Sequence, residues 1–173
     1  DESPNQLEIC RQRPAREMVP MSEAVKSFLD RAGVEYRIHV ADSPTRTAQE
    51  AADRLNVPLS VIIKSIVFTD QEGSPVLAIV TGDRRVDRGK LSAALGVSKV
   101  RIANPESALR LTGFEVGAMP PIGHKNRITT VIDRTAMGFS RVYGGAGTAH
   151  TLLEIDPKEL ARLTSAAVTD ISE

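Results

Sequence analysis

The segment Val61–Phe68 constrains the fold most, because it is an apolar, largely β-branched run with a full charge at its centre. It reads Val-Ile-Ile-Lys-Ser-Ile-Val-Phe, a composition typical of a buried strand. Alternate residues of a strand share one face, so Lys64 points the same way as Ile62, Ile66 and Phe68. An ammonium on that face must reach water at a sheet edge, pair with an acid or meet an anionic ligand. Two interpretations follow: a snorkelling lysine on an edge strand, or an anion-binding lysine that lines a pocket.

The composition narrows the classes of protein to which the chain can belong. Its 173 residues are enough for one domain with a real core, and the formal net charge of zero argues against coating nucleic acid by bulk electrostatics. Aromatic residues make up 3% of the chain, too few for a platform that stacks several bases. The single cysteine, Cys10, excludes an intrachain disulfide and a cysteine-based metal cluster. With no bilayer-length apolar run and no signal-type segment, we expect a cytoplasmic chain that uses no membrane, metal or cofactor.

The order of capping residues and apolar periods predicts one mixed domain. We expect an N-terminal extension over residues 1–20 and a single domain over residues 21–173. Helices are predicted to begin at Ser22, Thr47, Asp87, Asn104 and Asp156. Strands are predicted at Val34–Val40, Val61–Phe68, Val76–Val80, Val97–Ile102, Ile128–Ile132, Phe139–Tyr143 and Thr151–Ile155. Because β-α-β alternation is absent, the predicted fold class is α/β (mixed α+β), with a curved, barrel-like mixed sheet and helices packed outside.

The second informative stretch is Gly113–Gly123, which reads Gly-Phe-Glu-Val-Gly-Ala-Met-Pro-Pro-Ile-Gly. It has neither a helical nor a strand period, and its prolines make it stiff while its glycines permit unusual backbone angles. Such a loop presents backbone groups at fixed positions, although composition alone favours a purely structural turn. Together with a positioned cation, it could orient an anionic substrate and polarise a reacting carbonyl.

Other patterns are less specific. Arg84, Arg85, Arg88 and Lys90 form a local basic cluster, usually a solvated helix face and less often a contact with a phosphate backbone. Gly144–Gly147 is predicted to be a glycine-rich turn, and it lacks the spacing of a dinucleotide site. The chain has no Gly-x-Ser-x-Gly elbow, zinc-binding His-Glu-x-x-His pair or P-loop.

The order of these features resembles the YbaK family, the prolyl-tRNA-editing, INS-like group of aminoacyl-tRNA deacylases. The features in question are the Lys64 strand, the Gly117–Pro121 loop with Ile122 and Gly123, the Thr129–Asp133 strand and the Gly144-Gly145 turn. The resemblance extends from about Ser22 to Thr169. It implies a single α/β domain with a barrel-like sheet, and hydrolysis of misacylated tRNA, mainly tRNA for proline that carries alanine or cysteine.

The resemblance also assigns roles to residues. It implies that Lys64 is catalytic and holds a phosphate near the terminal adenosine. It implies that Gly117 is catalytic within a Gly-x-x-x-Pro loop that shapes the aminoacyl pocket and offers backbone groups to the ester and the attacking water. The substrate-binding residues that we predict are Ser65, Thr81, Gly82, Met119, Pro120, Pro121, Ile122, Gly123, Asp133, Gly144, Gly145 and His150. Residues 146–150 read Ala-Gly-Thr-Ala-His where relatives carry a basic residue, so the chain departs from the family there.

Three functional hypotheses follow. The first is a trans-acting hydrolase that deacylates misacylated tRNA, with the aminoacylated 3′ end of tRNA and prolyl-tRNA synthetase as partners. The alternative is a non-catalytic module that binds tRNA 3′ ends or aminoacyl-adenosine. The third is a nucleophilic Lys64 amine that forms a Schiff base.

Overall fold

A computed structural model describes residues 23–173. The expected extension over residues 1–20 and Cys10 lie outside the described residues. The helices are α1 (23–32), α2 (Ala48–Leu55), α3 (Arg88–Leu95), α4 (Pro105–Thr112) and α5 (Pro157–Thr164), with short 3-10 helices at Leu59–Val61 and Arg134–Gly138. The strands are β1 (Tyr36–Val40), β2 (Ile63–Asp70), β3 (Pro75–Thr81), β4 (Val100–Ile102), β5 (Thr129–Asp133), β6 (Val142–Gly145), β7 (Thr151–Ile155) and β8 (Ala167–Thr169). None of the described helices combines the length and apolarity that a membrane span needs.

The predicted helix starts at Thr47, Asp87, Asn104 and Asp156 are confirmed by hydrogen bonds from backbone N–H groups to the capping side chains. Thr47 and Glu50 form the complete capping box that the sequence predicts for α2. These local signals position the first turn of α2, which borders the candidate site.

The strands form two sheets. One has the order β1-β7-β6 and is antiparallel, and the other has the order β4-β2-β3-β5-β8 and is mixed. The predicted hairpin of β2 and β3 is confirmed, with Lys64 opposite Val80. An isolated bridge between Ile62 and Tyr143 joins the two sheets at one corner. The α/β class with a mixed sheet is therefore confirmed, but residues 23–173 contain no closed barrel.

Strand β3 is buried on both faces, as its continuous apolar sequence requires. Leu77 and Ile79 face a core shared with α1, β5 and the other sheet. Val80 packs on the opposite side, against Leu91 of α3 and Ile171. This packing gives β2, and with it Lys64, a rigid support.

Two regions differ from the predictions. The strand predicted at Phe139–Tyr143 lies at Val142–Gly145, so Gly144 and Gly145 belong to a strand and not to a turn. Their missing side chains let this strand approach its neighbours closely, as described below. Strand β8 was not predicted, because its pairing partner β5 lies far away in sequence.

Candidate functional site

A cavity of about 370 Å³ opens where β2 meets the Gly113–Gly123 loop, the first turn of α2, and strands β6 and β7. Lys64 and Gly117 both line it. Among the described residues that line the cavity, Lys64 and Arg46 have the ionisable side chains, and most of the lining surface is apolar. The lining residues are Thr45, Arg46, Thr47, Ala48, Ala51, Ile62, Ile63, Lys64, Ser65, Ile66, Val116, Gly117, Met119, Gly144, Gly145, Thr151 and Leu152.

Lys64 is half-buried in this wall, and its Nζ donates a hydrogen bond to the carbonyl oxygen of Arg84. Lys64 belongs to none of the ion pairs found among residues 23–173. Burial lowers the pKa of the Lys64 amine, and the charge of Arg85 lowers it further, against an opposing effect of Asp83. An anionic ligand would therefore stabilise an ammonium that the protein itself leaves poorly compensated.

The edge of β2 next to Lys64 has open hydrogen-bonding positions. The N–H of Gly82 donates to the carbonyl of Ile62, whereas the carbonyl of Val67 accepts from Ala103 on the opposite edge. In an antiparallel ladder these directions alternate, so the peptide groups of Ser65 point away from β3 and toward the edge that borders the cavity. The hydroxyl of Ser65 is buried and has no hydrogen-bond partner among the described residues.

The loop opposite Lys64 is held in place by hydrogen bonds. Gly117 has a φ of +92°, in the region that favours glycine. The N–H of Gly147 donates to the carbonyl of Ala118 at 3.0 Å. The Nε2 of His124 lies 2.7 Å from the carbonyl oxygen of Pro120 and must donate to it. Burial lowers the pKa of His124, although this hydrogen bond opposes the shift. His124 is thus a neutral side chain that holds the loop in place.

Strand β6 packs closely against this loop at Gly145 and against β2 at Gly144. A Cβ on Gly145 would lie 2.4 Å from the carbonyl oxygen of Met119 and 3.0 Å from that of Ala118. A Cβ on Gly144 would lie 2.9 Å from a side-chain carbon of Ile63. The close approach of backbone to backbone therefore requires glycine at position 145.

The segment before α2 forms the remaining wall. The N–H of Thr45 donates to the carbonyl of Ala149 at 2.7 Å, and the N–H of Ala41 donates to that of His150 at 2.7 Å. The Nδ1 of His150 lies 3.2 Å from the carbonyl oxygen of Ala41. These contacts fix the turn that brings Arg46 and Thr47 to the cavity.

Six of the predicted site residues line the cavity together: Lys64, Ser65, Gly117, Met119, Gly144 and Gly145. Eight are placed elsewhere: Thr81, Gly82, Pro120, Pro121, Ile122, Gly123, Asp133 and His150. Of these eight, His150 contacts the segment before α2, and Gly82 donates its N–H to the carbonyl of the lining residue Ile62, whereas Ile122 belongs to the core. Sequence reasoning missed Thr45, Arg46, Thr47, Val116 and Thr151. The capping box marked Thr47 as a helix start, but nothing local linked that start to Lys64.

Asp133 is fully buried and supports the structure at a distance from the cavity walls. Its carboxylate accepts hydrogen bonds from the N–H of Ile171 at 2.8 Å and from the N–H and hydroxyl of Thr135. Burial alone would raise the pKa of Asp133, but these hydrogen bonds outweigh it and lower the pKa. The group therefore anchors the segment that follows β8.

We expect Asp133→Ala to lower the free energy of unfolding by about 3 kcal/mol, because it leaves the buried N–H of Ile171 without an acceptor. Since the folded-state pKa is lowered, the stabilisation is complete above the ordinary value of about 3.9 and is lost as pH falls through the lower folded-state value. Urea titrations of wild type and variant between pH 2 and pH 7 should converge at the acid end. A constant difference across that range would contradict this role of the carboxylate.

The comparisons with known proteins agree on one family. A model of the aminoacyl-tRNA editing domain matches residues 42–163. A protein of Enterococcus faecalis, provisionally named a Cys-tRNA(Pro)/Cys-tRNA(Cys) deacylase, is 27% identical over 126 residues, which are 73% of this chain and 77% of that protein. A proline–tRNA ligase of Trichlorobacter lovleyi is 31% identical over 115 residues, which are 66% of this chain but 20% of the ligase. A crystal structure provisionally described as a trans-editing enzyme for prolyl-tRNA synthetase matches with a TM-score of 0.82 and 35% identity, covering 89% of this chain and 98% of that one. Because the family model matches most of its length, the chain belongs to the aminoacyl-tRNA editing domain family.

Proposed function

We propose that this chain hydrolyses the ester bond of misacylated tRNA, acting in trans on a tRNA for proline that carries alanine or cysteine. One observation carries the proposal: Lys64 and Gly117, which are distant in sequence, line the same cavity. An aminoacylated 3′ end offers a phosphate and an ester close together. A cation beside a stiff loop is the arrangement that binds both.

Lys64 supplies the electrostatic part of binding. A lysine ammonium is a compact point charge that suits a phosphate oxygen, and Lys64 has no carboxylate partner to displace within the described residues. The wall formed by Ala48, Ala51, Gly144 and Leu152 is apolar and made largely of small residues. It suits the small side chain of alanine or cysteine.

The loop supplies the catalytic part. Water adds to the ester carbonyl to give a tetrahedral oxyanion, and the bond to the ribose oxygen then breaks, releasing the amino acid and a free ribose hydroxyl. Gly117 and Met119 line the cavity, and we expect their peptide groups to orient the water and stabilise the oxyanion. Alignment of water and carbonyl could lower the barrier by about 7–11 kcal/mol, and each backbone donor by about 3 kcal/mol. The neighbouring ribose hydroxyl of the substrate can relay the proton, so no covalent nucleophile is needed.

The names of relatives support the choice of substrate. The Enterococcus faecalis protein is provisionally named for Cys-tRNA(Pro), and the similar crystal structure for an enzyme that serves prolyl-tRNA synthetase. The chain spans about a fifth of the proline–tRNA ligase, so only the editing step is proposed, with the synthetase as a partner. Such a step belongs with translation, which fits the cytoplasmic location predicted from the sequence. That location and the domain limits at residues 21–173 stay predictions.

A deacylation panel tests the proposal. Wild-type chain is incubated with alanyl-, cysteinyl-, seryl- and prolyl-tRNA for proline, and the release of free amino acid is followed above the uncatalysed rate. We expect hydrolysis of the alanyl or cysteinyl ester and none of the prolyl ester. Binding of charged tRNA without hydrolysis of any ester would overturn the proposed hydrolase activity and favour a non-catalytic module that binds tRNA 3′ ends.

A further inference from the structure

A second charged feature lies beside Lys64 but has no part in the proposed chemistry. The loop of residues 84–88, here called the basic loop, connects β3 to α3 and exposes Arg84, Arg85 and Arg88. Two of these arginines precede the helix, so the cluster is not simply the solvated face of α3. None of the three belongs to an ion pair among residues 23–173, whereas Lys90 pairs with Asp170 at 3.0 Å.

The basic loop lies directly beside Lys64. The carbonyl oxygen of Arg84 accepts the hydrogen bond from the Lys64 Nζ, which places the loop backbone at the ammonium. The charge of Arg85 acts on Lys64 strongly enough to help lower the lysine pKa, second to burial. Positive charge therefore continues from the cavity wall onto the outer surface.

The basic loop is also fixed before any ligand arrives. The N–H of Asp87 donates to the carbonyl of Ile171 at 2.8 Å, and the N–H of Glu173 donates to that of Arg85 at 3.0 Å. The Arg84 guanidinium lies 3.4 Å from the hydroxyl of Ser172. A loop held at its backbone loses little conformational entropy on binding, so its side chains can bind an anion at low cost.

We infer that the basic loop binds backbone phosphates of the RNA as it leaves the cavity, through Arg85 and Arg88. The inference rests on the proposed function, in which Lys64 holds the phosphate nearest the ester. Arginine forks suit phosphate oxygens, and two unpaired forks follow Lys64 along the surface. The acids of this region form no ion pair with either arginine among residues 23–173: Asp87 caps α3 through the N–H of Lys90, Asp170 pairs with Lys90, and Glu173 bonds to Arg85 through its backbone N–H.

The test measures RNA affinity directly. The probe is a fluorescein-labelled minihelix of the proline-tRNA acceptor stem with its single-stranded 3′ end, uncharged, and its Kd is measured by anisotropy across a salt series. We expect Arg85→Ala/Arg88→Ala to raise Kd about tenfold near 0.1 M salt. The slope of log K against log salt should become shallower by between about 1 and 2, since each phosphate contact contributes about 0.7–0.9. Arg85→Lys/Arg88→Lys should retain most of the affinity.

The matched control is Lys99→Ala/Arg101→Ala, which removes the same charge from another exposed site. Arg101 pairs with Thr69 of β2, about 17 Å along the strand from Lys64. We expect this control to change Kd by less than about twofold. A double arginine variant that binds like wild type, or a control that weakens binding equally, would overturn the inference.

Hydrolysis separates this inference from the proposed function. The arginine variant should lower kcat/KM for an alanyl-minihelix about tenfold more than for alanyl-adenosine, which has no phosphate. If the wild-type chain hydrolyses no ester but binds RNA through Arg85 and Arg88, the proposed deacylase activity is refuted and the inference about the basic loop is supported. If the chain is active but its RNA affinity does not depend on Arg85 or Arg88, only the inference about the basic loop is refuted.

Discussion

Replacing Lys64 by alanine should lower kcat/KM for deacylation about 100-fold, the largest effect that we expect from a single side chain. The change removes a charge-assisted contact with a substrate phosphate, and such a contact contributes about 3 kcal/mol in a partly buried site. Lys64→Met tests the same charge while it keeps most of the apolar stem beside Ile66. The chain should remain folded in both variants, because the ammonium has no ion-pair partner among the described residues. Single-turnover deacylation measures the loss of activity, and thermal melts show whether the variants remain folded.

The pH profile adds a signature that is specific to Lys64. Because burial and Arg85 lower its pKa, the catalysed rate should fall with rising pH at a point below the ordinary lysine value of about 10.4. Arginine does not lose its proton in this range, so the deacylation rate of Lys64→Arg should not fall as the pH rises. A Lys64→Met variant with wild-type kcat/KM would show that the charge has no role in catalysis.

Replacing Gly145 by alanine should disrupt the site without touching any ionisable group. The new Cβ would lie 2.4 Å from the carbonyl oxygen of Met119, a backbone atom that can yield only if the Gly117–Pro121 loop moves. A displacement of about 1 Å at such a loop can lower the rate about 100-fold, and overpacking costs about 1–3 kcal/mol of stability. Deacylation kinetics and urea unfolding of the same preparation report both effects.

Two other glycines provide matched controls for this prediction. Gly138→Ala should change neither rate nor stability appreciably, because a Cβ there meets nothing within 4 Å and the backbone angle is ordinary. Gly144→Ala should be intermediate, since its nearest contact, at 2.9 Å, is with a side-chain carbon of Ile63 and not with the backbone of the Gly117–Pro121 loop. Equal activity of Gly145→Ala and Gly138→Ala would mean that the loop position does not control the reaction.

Local signals in the sequence predicted the helix starts, the hairpin of β2 and β3, and the lysine that stands out in an apolar strand. Each of these depends on residues that are neighbours along the chain: a capping side chain, an alternating pattern or a short turn. Lys64 and Gly117 could be singled out for the same reason, because each is conspicuous within its own segment.

The remainder of the site depends on contacts between distant segments. Gly145 packs closely on the backbone of Met119, and the first turn of α2 reaches the cavity because Thr45 bonds to Ala149. Asp133 shows the opposite case. Its place among the family motifs suggested contact with substrate, whereas its hydrogen bonds go to Thr135 and Ile171. No periodicity encodes such pairings, so a single sequence does not reveal them.

The attachment of the basic loop to residues 171–173 has a consequence for synthesis on the ribosome. The partners of this attachment, such as Arg84 and Ser172, are 88 residues apart, so the loop emerges long before the segment that secures it. A growing chain can complete its hairpin early, since those contacts are local, but it must wait for residues 171–173 to complete the surface beside Lys64. We therefore expect nascent chains that stop short of residue 171 to fold in part yet bind charged tRNA more weakly than the chain that includes residues 171–173.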